Sequence, residues 1–554
     1  MTRRTLSISA RILALLLLVS ITSPAQGRAR RPSPHISSRL LGVMSQSVAI
    51  RYWEMHPAQA PSPLGSRLSA LSAAAGGGGQ HFDAAVAAGD QFNLDRDGLP
   101  QNEESVGVCG RNGRMVLGGT NDYRGLLRDP RDQDFTGWSF SADSGASVAN
   151  EGLLPHLRFP DGRRVPSGGD PVDVADGRCR LFASTLNFDF GSGHPHSGIG
   201  VYRSDPAALV SCPGRADSSC WPIRKVVAVA PRRHFYDKDW MDVGRSGAAG
   251  EVVWVVFTDF RNPFSSSIKA VRCNRSLKRC TKPIRLSGHL AGQGLPIAQF
   301  GYVVIGPDGR TYVLWSEIHH GLFARGHTHM VFKLRVAAPG STTFGPERVV
   351  ARERKPLWTK NPLHANDFRV ATIPKMTVMM VSGRPKIFVA WDRCTSLDPQ
   401  PPTGPEPPTT VCEEPTVVVS HSHSNGRRWS PRQVLSAGGD NYFPTISGDP
   451  SGDLVAAWYT SRFDPVFHNQ QDVEMVKIDP LSGSVLNRVR VTPSSNEPEA
   501  DPTIFGNFIG DYFQILAHKG AAYVHFNANY RSVPYLGRGL PIPQQDNFLQ
   551  RLPL

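Results

Sequence analysis

A pattern of two apolar strands separated by a Gly/Asp turn recurs seven times along this 554-residue chain. The clearest copy runs from Phe300–Val304 through the turn Gly306–Gly309 to Thr311–Trp315. The other six are Glu104–Val108 with Arg114–Gly119, Asp170–Val174 with Leu181–Ser184, Asp239–Val243 with Glu251–Phe257, Met376–Met380 with Lys386–Trp391, Phe443–Ile446 with Leu454–Trp458, and Asp511–Ile515 with Ala521–Phe526. Copies lie roughly 55–75 residues apart, which is the range of a four-stranded propeller blade with insertions. A repeat architecture also explains how so long a chain buries its apolar residues, because it grows by adding units.

The end of the pattern predicts how the ring closes. Most copies continue into a third and a fourth strand, but the last one stops at a third strand, Asp546–Leu552. A strand around Phe82–Phe92 can supply the missing fourth strand and leave no open sheet edge. We therefore expect an all-β propeller of seven blades closed by an N-terminal strand, with six blades as the alternative.

The N-terminal region predicts export. Residues 1–25 combine Arg3 and Arg4, an apolar run over residues 12–21 and small residues before position 26, as a secretory signal does. Residues 26–79 are rich in Ala, Ser, Pro and Gly and are interpreted as a disordered leader with at most one short helix. The propeller then spans residues 80–554. No other apolar run is long enough for a membrane span, so a secreted monomer without membrane insertion is expected.

Eight cysteines in an exported chain predict four disulfides. Connectivity is not fixed by sequence, but close neighbours are natural partners: Cys212 with Cys220, Cys273 with Cys280, and Cys394 with Cys412, which leaves Cys109 and Cys179. No C-x-x-C spacing suggests zinc or redox use. The formal charge of +14 comes from scattered arginines without aromatic interleaving, so no nucleic-acid partner is expected.

Two segments follow a common turn pattern, Ser141–Val148 (SADSGASV) and Ser422–Trp429 (SHSNGRRW). Their Ser and Asp or Asn side chains can accept bonds from turn amides, and the Gly can adopt positive φ. Both resemble the Asp box, or BNR repeat, of bacterial sialidase-like proteins. The phrases Asn121–Arg124, Phe235–Trp240 and Gly510–Tyr512 resemble the same family.

This resemblance implies a sialidase-like β-propeller that acts on an extracellular glycan. It covers the chain from about residue 80 onward. The family's F/Y-R-I-P segment is absent, and the nearest string, Leu157–Pro160, reads LRFP. The arginine triad and the cleavage of sialic acid are therefore not implied by this sequence. In sialidases the Asp boxes are scaffold, and the active site lies on the opposite face.

Propeller geometry assigns the candidate site to the loops that enter each first strand and follow each second strand. Carboxylates and tyrosines in the entry loops are the catalytic candidates, since glycoside hydrolysis uses paired carboxylates or a tyrosine backed by an acid. They are Asp237, Asp239, Asp511, Tyr236 and Tyr512. Substrate-binding candidates are Arg124, Arg261, Arg393, Arg462, Arg531, Asn121, Asp122 and Trp240. Arginines here can instead tie neighbouring blades together through ion pairs.

No cofactor is expected, and no metal ligand is assigned. Pairs such as His327 with His329 and His421 with His423 lack a carboxylate at a firm spacing. Structural calcium on loop carboxylates is left open. The sequence thus favours a secreted glycoside hydrolase, exo-sialidase-like, that binds an anionic sugar of a glycan or glycoconjugate. The alternative is a non-catalytic propeller that binds a glycan or a protein.

Overall fold

The fold was examined in a computed structural model of the chain. It describes residues 44, 45, 48, 49, 52, 53 and 92, and residues 99–554 apart from 112, 128–133, 191–195, 262–264, 289, 292–295, 321–326, 357–361, 401–409, 502–507 and 535–540. The described residues form seven antiparallel sheets of three or more strands. This arrangement confirms the predicted all-β, seven-bladed propeller.

Four strands in sequential order build each of the first four blades, and blade three has a fifth. Blade one has β1 (Gln101–Val108), β2 (Val116–Asp122), β3 (Thr136–Ser141) and β4 (Asn150–Leu153). A hairpin of β5 (Leu157–Arg158) and β6 (Arg164–Val165) precedes blade two, which has β7 (Val172–Ala175), β8 (Leu181–Asp189), β9 (His196–Ser204) and β10 (Ile223–Val229). Blade three has β11 (His234–Arg245), β12 (Glu251–Arg261), β13 (Ser265–Asn274) and β14 (Ile284–Arg285), with β15 (Leu290–Ala291) also pairing with β13. Blade four has β16 (Ile297–Ile305), β17 (Thr311–His320), β18 (His327–Ala337) and β19 (Arg348–Pro356).

The last three blades include one insertion and one shorter sheet. Blade five has β20 (Lys375–Val381), β21 (Arg384–Arg393), β24 (Thr416–Ser422) and β25 (Gln433–Val434), with the hairpin β22 (Ser396–Pro399) and β23 (Thr410–Glu413) inserted. Blade six has β26 (Asn441–Gly448), β27 (Leu454–Thr460), β28 (Asp472–Ile478) and β29 (Val485–Arg490). Blade seven has β30 (Gln514–His518), β31 (Ala521–Pro534) and β32 (Pro541–Pro553). Short helices occur at α1 (Arg124–Leu127) and α2 (Pro206–Ser211), with 3-10 turns at Gly247–Ala249 and Pro498–Ala500.

Phe92 is the described residue nearest the expected closing strand. Its backbone N–H donates to the carbonyl of Asn547 on β32 at 3.0 Å, and its side chain is buried. Residues 82–91 lie outside the described part of the chain, so closure by an N-terminal strand stays a prediction. The same holds for the signal segment, residues 1–25. No helix in the described ranges is both long and apolar enough to cross a membrane.

The second strands form the core of the blades. Trp315 on β17, Trp391 on β21 and Trp458 on β27 are completely buried. These strands are buried along both faces because each blade packs between two neighbours, so they read as continuous apolar runs rather than alternating patterns. The apolar pattern that recurs seven times in the sequence results from this packing.

The two repeated turn segments connect third and fourth strands, one in blade one and one in blade five. In the first, Ser141 Oγ accepts from the N–H of Gly145 at 2.9 Å. In the second, Ser422 Oγ accepts from the N–H of Gly426 at 3.0 Å. Gly145 and Gly426 have φ of 87° and 80°, which explains the glycine in both segments. The two turns are therefore built alike and hold the outer edge of their blades.

The structure contains four disulfides, and each joins residues that the sequence made natural partners. Cys109 is bonded to Cys179, Cys212 to Cys220, Cys273 to Cys280, and Cys394 to Cys412. The first follows β1 and precedes β8, so it ties blade one to blade two. The other three close local loops within one blade or its insertion.

Several first strands share a bulge near the centre of the ring. Glu103, Lys238, Phe300 and Phe443 have φ between 50° and 61°, and strand pairing changes register at each of them. Asp170, just before β7, has φ of 57°. Left-handed backbone is uncommon outside glycine and marks places where surrounding structure imposes it. Three of these residues (Glu103, Asp170 and Lys238) belong to the candidate site.

Candidate functional site

Buried charged residues from five blades meet at the centre of the ring. We call this group the central cluster; it consists of Glu103, Asp170, Asp237, Lys238, Arg369 and Asp511. The first four belong to blades one, two and three, Arg369 enters blade five, and Asp511 enters blade seven. Each side chain is at most 9% exposed. The bulges described above place these residues at the ring centre.

Lys238 is the cation that three of the carboxylates share. Its Nζ lies 3.3 Å from Glu103 Oε1 and 3.6 Å from Asp170 Oδ2, and it donates a short hydrogen bond to Asp511 Oδ2. Burial would lower the pKa of Lys238, but Asp170, Asp511 and Glu103 together outweigh it and raise that pKa. Lys238 therefore stays charged and neutralises part of a carboxylate excess.

Arg369 holds Asp511 through a two-pronged contact. Its Nε donates to Asp511 Oδ1 at 2.9 Å, and its Nη2 donates to Oδ2. Burial would raise the pKa of Asp511, yet Arg369 and Lys238 outweigh burial and the net shift is downward. Gly510, with φ of 100°, precedes this residue, and a Cβ there would lie 3.0 Å from the backbone N of Glu103. Asp511 is thus a carboxylate whose ionised form is favoured and whose two oxygens are both bound.

Glu103 has the opposite electrostatic character. Burial, only partly offset by Lys238, raises its pKa to about 8, and the carboxylates of Asp170 and Asp511 add to the rise. The pKa values of Asp170 and Asp237 are also raised, mainly by burial. A carboxyl group with a raised pKa, Glu103, and one with a lowered pKa, Asp511, therefore lie in one small site, and such a difference suits general acid–base chemistry.

Residues 44 and 45, from the segment that the sequence assigned to the leader, cover this cluster. The backbone N–H of Ser45 donates to Asp237 Oδ2 at 2.9 Å, and Ser45 Oγ donates to Asp170 Oδ2. The carbonyl of Met44 accepts from Arg369 Nη1 at 3.3 Å. Met44 and Ser45 are themselves completely buried. The described residues of this segment are therefore packed into the ring centre, while the domain boundary at residue 80 stays a prediction.

A second lysine lies beside the cluster among aromatic rings. Lys375 Nζ is 3.5 Å from the ring centroid of Trp240, 5.0 Å from that of Tyr302 and 4.8 Å from that of Tyr512. It has no hydrogen-bond partner among the described residues. Burial and then the charge of Lys238 lower the pKa of Lys375 well below the usual value. Contact with the three aromatic rings offsets part of the free energy that burial of the ammonium group costs.

We expect Lys375→Met to stabilise the protein by about 1–4 kcal/mol at pH 7, because a buried cation without a carboxylate partner is replaced by an apolar side chain of similar length. The folded-state pKa is lowered, so the unfolded chain binds the extra proton and stability rises with pH up to about 10.5. The gain from Lys375→Met should therefore shrink towards that pH. Urea unfolding at pH 7 and pH 10 measures it, and a loss of stability at pH 7 would show that the ring contacts dominate.

The predicted tyrosines are not activated as nucleophiles. Tyr512 donates from its hydroxyl to the carbonyl of Pro171 at 2.9 Å, and burial raises its pKa well above the usual value. Tyr236 packs on Phe257 with ring centroids 4.5 Å apart, and burial raises its pKa as well. Both hydroxyls therefore stay protonated.

The other catalytic and aromatic candidates line the same region. Asp239 accepts from Ser184 Oγ at 2.5 Å, and burial raises its pKa well above the usual value. The nearby charges of Asp170 and Asp237 add to that rise, which places Asp239 next to the cluster. Trp240 stacks on Tyr302 with centroids 4.4 Å apart. Among the described residues, no hydrogen bond joins Asp239 or Trp240 to Met44 or Ser45.

Most of the predicted substrate-binding arginines pair with carboxylates of the protein. Arg124 binds Asp122 and Glu151, Arg393 lies 3.8 Å from Glu353 of the neighbouring blade, Arg462 is 2.5 Å from Glu474, and Arg531 is 3.3 Å from Asp546. Arg261 lies at the exposed end of β12. Asn121 does reach the cluster: its Nδ2 donates to Glu103 Oε2 at 2.7 Å, and its Oδ1 accepts from the N–H of Asp170 at 2.9 Å.

One group in the described part of the chain has the composition of a metal site. The ligand atoms of His364, Asp398 and Glu413 lie within 4.8 Å of one another. The group lies at the surface: the side chains of His364 and Asp398 are 47% and 38% exposed. It was not predicted, and structural calcium elsewhere stays a prediction.

Sequence reasoning missed Arg369, Lys375 and Ser45. Arg369 precedes β20 of blade five and Lys375 begins it, and the sequence before this strand carried no recognised motif. Ser45 lies in a segment of ordinary composition more than 100 residues from its partners. The spacing of apolar residues Met44, Val48 and Tyr52 was the available signal for an amphipathic helical turn there.

No family model matches this chain, and no curated protein matches it. Among solved structures it is similar to the Hadza microbial sialidase Hz136, at 9% identity over 85% of this chain and 95% of that one, with a TM-score of 0.40. It is also similar to a PL25 ulvan lyase, at 8% identity over 84% and 95% with a TM-score of 0.46. A third is an α-L-arabinanase of Penicillium chrysogenum, at 10% identity over 72% and 92% with a TM-score of 0.36. At these scores the matches carry no argument about activity, and the fold assignment rests on the blades themselves.

Proposed function

We propose that this protein is a secreted glycoside hydrolase that acts on an extracellular glycan through the central cluster. The observation that carries the proposal is the cluster of buried carboxyl groups around Lys238, in which the pKa of Glu103 is raised to about 8 and both oxygens of Asp511 are bound by Arg369 and Lys238. In this proposal Glu103 protonates the glycosidic oxygen as the C–O bond breaks. Asp237, whose Oδ1 has no described hydrogen-bond partner, takes a proton from the water that attacks the anomeric carbon, while Asp511 stays bound to its two cations and does not react.

Export is part of the proposal. The four disulfides are consistent with an oxidising compartment. The expected closure of the ring also supports a monomer, because it would cover the open edge of blade seven and leave only the short outer edges of the blades. The family resemblance points to an exo-sialidase-like hydrolase, although the sequence lacks the F/Y-R-I-P segment that accompanies the arginine triad.

A non-catalytic propeller that binds a glycan or a protein is the second candidate. The observation that favours it is the pairing of the loop arginines with carboxylates, since such ion pairs also serve only to join parts of a fold. In that case the central cluster would be a structural network of blades one, two, three, five and seven.

The experiment is a screen for turnover with fluorogenic glycosides, α-sialosides included, and with polymeric glycans. It uses the full chain and a chain in which Val48→Asp and Tyr52→Asp loosen the residues that cover the cluster. Release of fluorophore or new reducing ends that disappears in Glu103→Gln supports the hydrolase. Folded protein that cleaves no substrate in either form, yet retains glycans on an array, supports the binding propeller.

A further inference from the structure

Met44 and Ser45 present one peptide group and one hydroxyl to the central cluster. The carbonyl of Met44 accepts from Arg369, and the N–H of Ser45 donates to Asp237. The hydroxyl of Ser45 donates to Asp170. These partners belong to three blades, so the segment fills the point where the blades converge rather than packing on one of them.

The rest of the segment is anchored by apolar side chains spaced four residues apart. The N–H of Ala49 donates to the carbonyl of Ser45 at 3.1 Å, which is a helical bond. In a helix Met44, Val48 and Tyr52 lie on one face, and all three are at most 1% exposed. The ring of Tyr52 meets Phe190 edge-on, with centroids 5.9 Å apart. The anchor is therefore small and separate from the polar contacts.

We propose that Met44 and Ser45, anchored by the described residues Val48 and Tyr52, act as an intramolecular pseudosubstrate, and that their amide and hydroxyl occupy the place of an N-acylated amino sugar. This inference rests on the proposed function and names its substrate class. An N-acylated amino sugar carries the same three groups: an amide carbonyl, an amide N–H and a neighbouring hydroxyl. The carbonyl binds Arg369, the N–H binds Asp237, and the hydroxyl binds Asp170.

The charges of the cluster favour this neutral amide over an anionic substituent. Arg369 is already held by both oxygens of Asp511, and Lys238 is shared by three carboxylates. A carboxylate or sulfate on the sugar would face Asp170 and Asp237 without an uncommitted cation of the cluster. A neutral donor–acceptor group instead satisfies both the carboxylates and Arg369, as the peptide group of the segment does.

Covalent attachment lets a weakly bound segment exclude substrate. A tethered group acts at a higher effective concentration than the same group free in solution. Loss of the apolar anchor, by substitution or by cleavage of the chain after residue 53, therefore exposes the cluster without altering it.

The test uses the full chain with Val48→Asp and Tyr52→Asp, which introduces charge into the buried anchor. The matched control is Val466→Asp with Phe467→Asp, because these side chains are 73% and 74% exposed and contribute nothing to the segment. Hydrogen exchange of the peptide that contains Ser45 reports release of the segment independently of activity. Turnover is compared on an N-acetylhexosaminide and on the hexoside that lacks the acetamido group.

We expect fast exchange at Ser45 and at least a tenfold rise in kcat/KM in the anchor variant, for the N-acetylated substrate only, and neither change in the control. A synthetic peptide of residues 43–54 should inhibit the anchor variant, and its Ser45→Ala form should inhibit less. Fast exchange with turnover equal to that of the full chain overturns the inference while leaving the hydrolase intact. Slow exchange in the anchor variant overturns the assigned anchor.

Absence of turnover in every form tests the two proposals separately. Binding of N-acetylglucosamine oligomers is then measured by calorimetry on the full chain and on the anchor variant. Binding by the variant alone supports occlusion by the segment and refutes the hydrolase. Binding by neither form overturns the pseudosubstrate as well.

Discussion

Replacement of Lys238 by Met should destabilise the protein by more than about 5 kcal/mol at pH 7. Removal of one partner of a buried ion pair costs about 3–5 kcal/mol because it leaves an uncompensated charge. Lys238 is shared by three buried carboxylates, those of Glu103, Asp170 and Asp511, so its loss uncovers more than one. Lys238→Arg keeps the positive charge, so its free energy of unfolding should fall by less.

The pH dependence identifies the cause of this loss. Without Lys238 the folded-state pKa values of Glu103 and Asp170 rise further above their unfolded values, and the lowered pKa of Asp511 also rises. The unfolded chain then releases protons that the folded chain retains, and stability falls as pH rises between about 4 and 8. The difference between Lys238→Met and the parent should therefore shrink towards pH 4.5, as measured by urea unfolding at pH 4.5 and 7.5.

Lys355→Met is the matched comparison for this prediction. Lys355 is also buried, but it pairs with one carboxylate, Asp392, which Thr372 Oγ1 supports with a hydrogen bond of 2.9 Å. We expect a loss of about 3–5 kcal/mol there. A loss in Lys238→Met no larger than that in Lys355→Met, or one independent of pH, would contradict the shared-cation account.

The sequence predicted the fold well because one signal was repeated seven times. Buried second strands such as β17 and β27 must be apolar on both faces, and that requirement reappears in every blade. Turn residues then marked the strand ends, as Gly145 and Gly426 show. Three disulfides join cysteines whose closeness in sequence had suggested the pairing, and the fourth joins Cys109 and Cys179, the two that were left over.

The site was predicted less completely because its geometry depends on backbone that the pattern does not show. The entry-loop pattern proposed Asp237 and Asp511 as site residues, and both lie in the central cluster. The bulge at Lys238, however, has no residue signature, since left-handed φ at a lysine is imposed by tertiary structure. Arg369 and Ser45 reach the cluster through contacts over more than 100 residues of sequence, which local patterns do not encode.

Glu103→Gln should lower kcat by about 10²–10⁴ on a glycoside with a poor leaving group, because a general acid contributes a factor of this size. On a dinitrophenyl glycoside the loss should be much smaller, since that leaving group departs without protonation. The pKa of about 8 at Glu103 keeps it protonated below that pH, so activity should fall as pH rises through about 8. In the variant this alkaline limb should disappear.

Glu104→Gln is the control, because it removes another buried carboxyl group of β1 without removing the proposed general acid. Glu104 is also completely buried, burial raises its pKa well above the usual value, and its oxygens have no described hydrogen-bond partner. A glutamine therefore matches the neutral side chain that is already present, and activity should be retained. Both substitutions are made in the form of the protein that shows turnover, either the full chain or the chain with Val48→Asp and Tyr52→Asp. Equal losses of activity in the two variants would exclude Glu103 as the acid, and so would a Glu103→Gln enzyme that cleaves the poor substrate at the parental rate. Asp239, which lies next to the cluster and has a strongly raised pKa, would then be the next residue to test.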